Sequence, residues 1–93
     1  MWQLKTVAGI VEGGPKKYTR LLKQAENSVD KIYDAETVYL RPKLIKAIKL
    51  NIINRKQYKI EDLIDIYGLN ISASTFKRQK SKYANCISKG LEL

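Results

Sequence analysis

The side chains best suited to chemistry lie in one segment near the C-terminus. Between Ile66 and Leu91 the sequence has five lysines and arginines and no acidic residue. Hydroxyl and amide side chains, which hydrogen-bond base edges and phosphates alike, are interleaved with these cations. On one helix, this segment would present Ser74, Thr75, Lys77, Arg78, Gln79, Lys80 and Lys82.

The charge balance of the whole chain favours a polyanionic partner. Its 93 residues include 18 Lys and Arg against nine Asp and Glu, for a formal net charge of +9. Nucleic acid fits this excess best, and an acidic protein is the alternative. Two further basic clusters are candidate secondary phosphate contacts, although both also fit plain solvent-facing surfaces. They comprise Lys16, Lys17, Arg20, Lys43 and Lys46.

The sequence contains few residues of the types that catalyse reactions or bind metal ions. The chain has one cysteine, Cys86, and no histidine, so an internal disulfide and a zinc site are both excluded. No glycine-rich phosphate loop is present. We therefore expect no enzyme activity, no metal and no cofactor, and we expect Cys86 to pack as a small side chain.

The sequence also carries an expectation about where the protein acts. It has neither a long apolar run nor a signal-peptide pattern, which predicts a cytoplasmic protein outside the membrane. The abundance of lysine, isoleucine, asparagine and tyrosine is typical of AT-rich genomes, which suggests a bacterium or its phage.

Helical periodicity governs the elements that must position these residues. Apolar side chains recur at helical spacing in five segments: 4–11, 18–32, 44–53, 60–67 and 72–88. We therefore predict an all-α fold, a compact single domain over residues 1–93 with four to five helices. Pro42 disfavours helix at Arg41, so the third helix should begin at Pro42, and residues 37–40 could be extended.

The last two predicted helices form a recognisable unit over residues 59–88. The first carries acidic residues in its first turn, Gly68 ends it, and Ser72 or Asn70 can cap the second. This arrangement resembles the helix-turn-helix domains of small phage and mobile-element regulators and of terminase small subunits. Its connection is about two residues longer than usual, which predicts a longer turn or a shifted register.

The resemblance implies roles for the residues of the second helix. In helix-turn-helix proteins this helix lies in the major groove and its early residues reach base edges. That implies base reading by Ser74, Thr75, Arg78 and Gln79, with Lys77, Lys80 and Lys82 on phosphates. The implied partner is double-stranded DNA, bound by a transcriptional regulator or DNA-packaging factor, and many such proteins are homodimers.

Two other functions remain open. One is a small inhibitor that docks on an acidic protein, for which Trp2, Tyr39 and Leu50 are candidate exposed contacts. The other is RNA or single-strand binding by exposed tyrosines, for which Tyr39 and Tyr58 are the candidates. The remaining tyrosines on helical faces, Tyr18, Tyr67 and Tyr83, are expected to pack against the core.

Overall fold

The computed structural model describes residues 4–13, 16–53 and 58–91. These residues form five α-helices and no strand, which confirms the all-α prediction. A single 3₁₀ turn, Lys16–Tyr18, precedes the second helix. The helices are α1 (Leu4–Gly13), α2 (Thr19–Ser28), α3 (Leu40–Ile53), α4 (Ile60–Tyr67) and α5 (Ala73–Gly90).

Helix α5 forms where its capping residue and apolar spacing predict it. The Ser72 hydroxyl accepts a hydrogen bond from the Thr75 backbone N–H at 3.2 Å and so caps the first turn. Phe76, Tyr83 and Ile87 follow at helical spacing and are fully buried. The predicted boundaries of 72–88 are therefore confirmed to within two residues.

Helix α2 is shorter than its apolar pattern predicts. It ends at Ser28, and Val29 has an extended backbone with φ −70° and ψ 130°. Val29 nevertheless remains buried, because the chain leaves the helix while its apolar side chains still pack against the core. The prediction of a helix through residue 32 was wrong, since buried loop residues mimicked helical periodicity.

Helix α3 begins earlier than Pro42. A turn with hydrogen bonds from Leu40 N–H to Thr37 C=O and from Arg41 N–H to Val38 C=O leads into it, so residues 37–40 are not extended. Pro42 is the third residue of the helix, where a backbone N–H has no intrahelical partner to lose. Both the expected start at Pro42 and the exclusion of Arg41 were wrong for this reason.

The core lies among the five helices: α3 and α5 contact each other, and each of them also packs against α1 and α4. Helix α5 packs mainly against α2, and α1 packs mainly against α3. Because α3 and α5 turn their buried faces toward this common core, their exposed faces belong to different sides of the molecule. The largest fully buried apolar side chains are Tyr83, Phe76, Leu44, Ile48, Leu63, Leu69 and Ile87.

Two glycines have distinct structural roles. Gly68 adopts a left-handed conformation (φ 57°) that ends α4, and its N–H donates to the Asp65 carbonyl at 3.2 Å. Gly90 lies directly against the Leu21 side chain, which occupies the space where a Cβ would be. The absence of a side chain at Gly90 thus allows α2 and α5 to approach closely.

The expectations for single side chains were mostly correct. Tyr83 is buried, and Tyr18, Tyr67 and Cys86 are half-buried against the core. Tyr39 is 61% exposed, as predicted. Tyr58 and Leu50 are instead half-buried and pack against the core, and Trp2 lies outside the described residues.

The buried hydroxyl of Tyr83 gives a stability prediction. It has no hydrogen-bond partner among the described residues, and burial raises the pKa of this phenol. Tyr83→Phe removes an unsatisfied polar group without changing the ring, so we expect the free energy of unfolding to rise by about 1 kcal/mol. Urea denaturation followed by circular dichroism measures this. Tyr39→Phe is the exposed control and should change nothing, whereas a clear loss of stability in Tyr83→Phe would contradict the prediction.

Candidate nucleic-acid interface

One face of α5 is exposed along the whole helix. Its side chains are spaced three or four residues apart, which places them on a single side of the helix. From the first to the last they cover about 22 Å at the α-helical rise. This α5 stripe consists of Ser74, Lys77, Arg78, Ser81, Lys82, Asn85 and Lys89.

The side chains of the α5 stripe are either positive or neutral. The stripe carries four cations and no carboxylate, and Ser72 caps the helix that supports it. Asp30 of the α2–α3 loop reaches this surface, where its carboxylate pairs with Lys82 at 2.8 Å. The stripe therefore combines positive charge with hydroxyl and amide groups on a rigid element, the combination that groove recognition requires.

The structure separates the predicted site residues into two groups. Ser74, Lys77, Arg78 and Lys82 belong to the α5 stripe. Thr75 is half-buried, and its hydroxyl lies 3.0 Å from that of Ser72. Thr75 thus contributes to the cap of α5 and is less accessible than predicted.

Gln79 is a correction to the predicted interface. Its side chain is fully buried, so α5 does not present it to solvent. Its Oε1 accepts from the Asp30 backbone N–H at 2.9 Å, and its Nε2 donates to the Asp30 carboxylate at 3.2 Å. Gln79 therefore holds α5 against the end of α2 in this fold, and it is not available to read a base.

Asp30 is the centre of a polar junction between α2, α3 and α5. Hydrogen bonds from Lys82 and then Gln79 hold the pKa of its carboxyl below the ordinary value. Arg41 donates to the Asp30 backbone carbonyl at 2.9 Å, and the Ser28 hydroxyl donates to the Lys82 carbonyl at 3.2 Å. The junction fixes the position and the rotation of α5 relative to α2.

Sequence reasoning missed three members of the stripe. Ser81, Asn85 and Lys89 are exposed on the same side of α5 as Arg78. Asn85 follows Arg78 by seven residues and Lys89 by eleven, which are the spacings of a single helical face. Extending this periodicity from Arg78 would have identified them, and Asn85 is well suited to recognise adenine.

The N-terminal end of α2 continues the positive surface. Lys17, Arg20 and Gln24 line a shallow cleft with Gly90, the residue that follows Lys89. We call these three residues the α2 edge. Two of the predicted secondary phosphate contacts, Lys17 and Arg20, thus lie at the C-terminal end of the α5 stripe, and Lys16 is exposed in the same 3₁₀ turn.

The other two predicted secondary contacts lie elsewhere. Lys43 and Lys46 are on the exposed side of α3, whose opposite side places Leu44 and Ile48 in the core shared with α5. The structure therefore does not bring them together with the α5 stripe.

Lys80 points away from the stripe into a separate cleft. It is half-buried, and burial lowers the pKa of its ammonium. Lys59 and Lys77 line the same cleft, which has a volume of about 450 Å³. The other lining residues are Asn51, Tyr58, Ile60 and Glu61. Lys77 therefore links the α5 stripe with this cleft, and Lys80 lies inside it.

Helix α4 has the opposite charge to α5. Glu61, Asp62 and Asp65 are all exposed, and α4 itself contains no basic residue. Residues 68–72 connect α4 to α5, so the connection is indeed longer than in the usual motif. In helix-turn-helix proteins the first helix crosses the DNA backbone. The three exposed carboxylates of α4 would be repelled by DNA phosphates, which argues against that position for α4.

Neither a membrane span nor a metal cluster occurs in the part of the chain that the structure describes. None of its helices combines the length and apolar character needed to cross a bilayer. Nor do these residues bring together three or more acidic or cysteine side chains that could hold a metal ion.

Comparison with protein families, curated proteins and solved structures supplies no function by similarity. The chain matches no model of a protein family, no curated protein and no solved structure. The residues of the α5 stripe and the α2 edge therefore carry the functional argument.

Proposed function

We propose that this protein binds double-stranded DNA through the α5 stripe, with the α2 edge on the adjoining phosphates. The observation that carries the proposal is the exposed stripe of four cations and three hydroxyl or amide side chains along one helix, on which, within the described ranges, only Lys82 is paired with a carboxylate, that of Asp30. An α-helix fits the major groove, and such side chains hydrogen-bond both base edges and phosphates.

Arg78 and Asn85 are the proposed base-reading residues. Both are exposed, and they lie two turns apart on the same face, at a distance of about 10 Å along the helix. That distance corresponds to about three base-pair steps. Arginine pairs bidentately with guanine and asparagine with adenine, so the two positions can read separated bases in one groove.

Basic side chains at and beyond the two ends of the stripe are the proposed phosphate contacts. Lys77 and Lys89 lie toward its two ends, and Lys17 and Arg20 extend the surface beyond Lys89. This arrangement supports a transcriptional regulator or a DNA-packaging factor that acts in the cytoplasm or on the nucleoid. Because α4 is acidic, we place it away from the DNA, unlike the first helix of the usual motif.

The direct test is fluorescence anisotropy of a labelled duplex titrated with protein at several salt concentrations. A duplex of about 14 base pairs covers little more than one helical turn and so limits binding to one protomer. We expect log affinity to fall with log salt at a slope of about −4 to −8, because several phosphate charges are neutralised. Absence of binding at low salt would overturn the proposal.

A matched pair of double variants tests which face binds. Arg78→Ala with Lys89→Ala removes two charges from the α5 stripe, and we expect affinity to fall by about tenfold or more with a shallower salt slope. Lys43→Ala with Lys46→Ala removes two charges from the exposed side of α3. This control should lose much less affinity, and equal losses would mean that net charge alone drives binding.

Arg78→Ala alone separates base reading from phosphate contact. We expect it to reduce discrimination among duplex sequences selected from a random pool. An equal loss of affinity for every sequence would assign Arg78 to the backbone instead. Stronger binding to single strands than to duplex, lost in Tyr39→Ala, would support the single-strand alternative and contradict the duplex proposal.

A further inference from the structure

Large apolar side chains are strongly exposed at two places on the described surface. Val38 is 53% exposed and Tyr39 is 61% exposed, just before α3, and Ile66 is 62% exposed on α4. Exposed apolar groups with a charged rim are typical of protein contact sites. The surroundings of these two places have opposite charge.

The first place is a groove with an apolar floor and a basic rim. It lies between α2 and the first half of α3 and has a volume of about 570 Å³. Val38, Pro42 and Ile45 contribute apolar surface to it, and Lys46 and Lys49 stand at its rim. We call it the α3 groove; its remaining lining residues are Glu26, Asn27 and Arg41.

The free positive charge of the α3 groove is concentrated at its outer edge. Lys49 is partly neutralised, since its ammonium lies 3.1 Å from the Glu26 carboxylate. Lys46 is exposed. Lys43 is nearby on α3, with its ammonium 5.8 Å from the centre of the Tyr39 ring. An acidic, partly apolar segment therefore complements this groove.

The second place has this complementary character. Ile66 follows Asp62 by one helical turn and is next to Asp65, and all three are exposed. Glu61 adds a third exposed carboxylate, and α4 has no basic residue. The exposed face of α4 is thus an acidic helical surface with one apolar side chain toward its C-terminal end.

We propose that α4 of one copy of this chain docks in the α3 groove of a second copy. Ile66 then contacts the apolar floor near Val38, while Asp62 and Asp65 face Lys46 and Lys43. The contact joins two different surfaces, so in a pair one copy keeps a free groove and the other keeps a free α4. Copies therefore add head to tail, and the α5 stripe takes no part in the contact.

Sedimentation velocity of the full chain tests self-association without DNA. We expect the average mass to increase with protein concentration up to about 1 mM, because small, polar interfaces are weak. The association should weaken as salt is added, since it pairs opposite charges. A strictly monomeric protein at low salt and about 1 mM would overturn the proposal.

Two charge-reversal variants distinguish a head-to-tail contact from a symmetric one. Asp62→Lys with Asp65→Lys removes the acidic surface, and Lys43→Glu with Lys46→Glu removes the basic rim. Each variant alone should be monomeric, because each lacks one half of the contact. In a mixture, the now basic α4 of the first variant complements the now acidic groove rim of the second, and the unchanged α4 of the second complements the unchanged groove of the first. The mixture should therefore associate again at a one-to-one ratio.

Milder variants guard against a loss of folding. Ile66→Gln changes an exposed side chain and should abolish association while the helical circular dichroism spectrum stays the same. Lys17→Glu with Arg20→Glu is the control, because it changes charge by the same amount outside both surfaces and should leave the contact intact. Failure of the mixture to associate, or unchanged association in Ile66→Gln, would contradict the proposal even if DNA binding is confirmed.

Discussion

Gln79→Met is expected to lower the free energy of unfolding by about 1.5–3 kcal/mol. Methionine preserves the length and approximate volume of the side chain but removes both hydrogen bonds to Asp30. The backbone N–H of Asp30 then loses its acceptor, and the buried position gains no new polar partner. Urea denaturation monitored by circular dichroism measures the difference.

The neighbouring residue supplies the control for this prediction. Arg78 is exposed, so Arg78→Ala should change the free energy of unfolding by less than about 0.5 kcal/mol while it weakens DNA binding. Gln79→Met should show the opposite pattern, with lower stability and, where folded, little change in DNA affinity. A stable Gln79→Met variant with impaired DNA binding would contradict the structural role of Gln79.

Acid should reduce the difference in the free energy of unfolding between the Gln79→Met variant and the original chain. The pKa of Asp30 is lowered in the folded state, so its contribution to stability is present above its ordinary pKa. That contribution disappears as the pH falls through the lowered value, because folding then no longer favours the ionised carboxylate. The two stability curves should therefore approach each other in acid without meeting, because the hydrogen bond from the Asp30 backbone N–H to Gln79 does not depend on pH.

Arg41→Met is expected to lower the free energy of unfolding by about 2–3 kcal/mol. The Arg41 guanidinium donates to the backbone carbonyls of Glu26, Val29 and Asp30, each at 2.9 Å. These carbonyls belong to the last turn of α2 and the loop after it, where the only backbone donors to them in the described part of the chain are the Val29 N–H to Glu26 at 3.4 Å and the Ile32 N–H to Asp30 at 3.0 Å. Methionine fills a similar volume but leaves all three carbonyls without the guanidinium donor.

Two further variants test that explanation in the same denaturation assay. Arg41→Lys keeps the positive charge but cannot reproduce the planar set of donors, so it should recover only part of the lost stability. Lys31→Ala, an exposed substitution in the loop after α2, should have almost no effect. Full recovery by lysine would mean that charge at the helix end matters more than the three hydrogen bonds.

Together these variants separate the residues that position α5 from those that would contact DNA. Gln79 and Arg41 hold the end of α2 and its following loop in place, and α5 rests on that junction. Arg78, Asn85 and Lys89 extend from the exposed side of the same helix. Loss of the junction would therefore disturb the orientation of the stripe without removing any of its charges.

Local sequence signals determined most of the secondary structure. Ser72 caps α5 and Gly68 ends α4 because a hydroxyl acceptor and a residue tolerant of positive φ serve these positions in any fold. The apolar spacing of Phe76, Tyr83 and Ile87 identified the buried side of α5, and composition alone set the positive charge. These features depend on neighbours within a few residues of each other.

The tertiary structure decided which polar residues remain available. Gln79 and Asp30 are 49 positions apart, so no local pattern could show that this amide is buried and hydrogen-bonded. The same limit applies to the end of α2, which Arg41 satisfies from the next helix. Likewise, Lys43 and Arg78 are both exposed helical cations, and only the packing of α3 against α5 assigns them to different faces. Periodicity describes each helix about its own axis, whereas long-range packing fixes how the helices are oriented relative to one another.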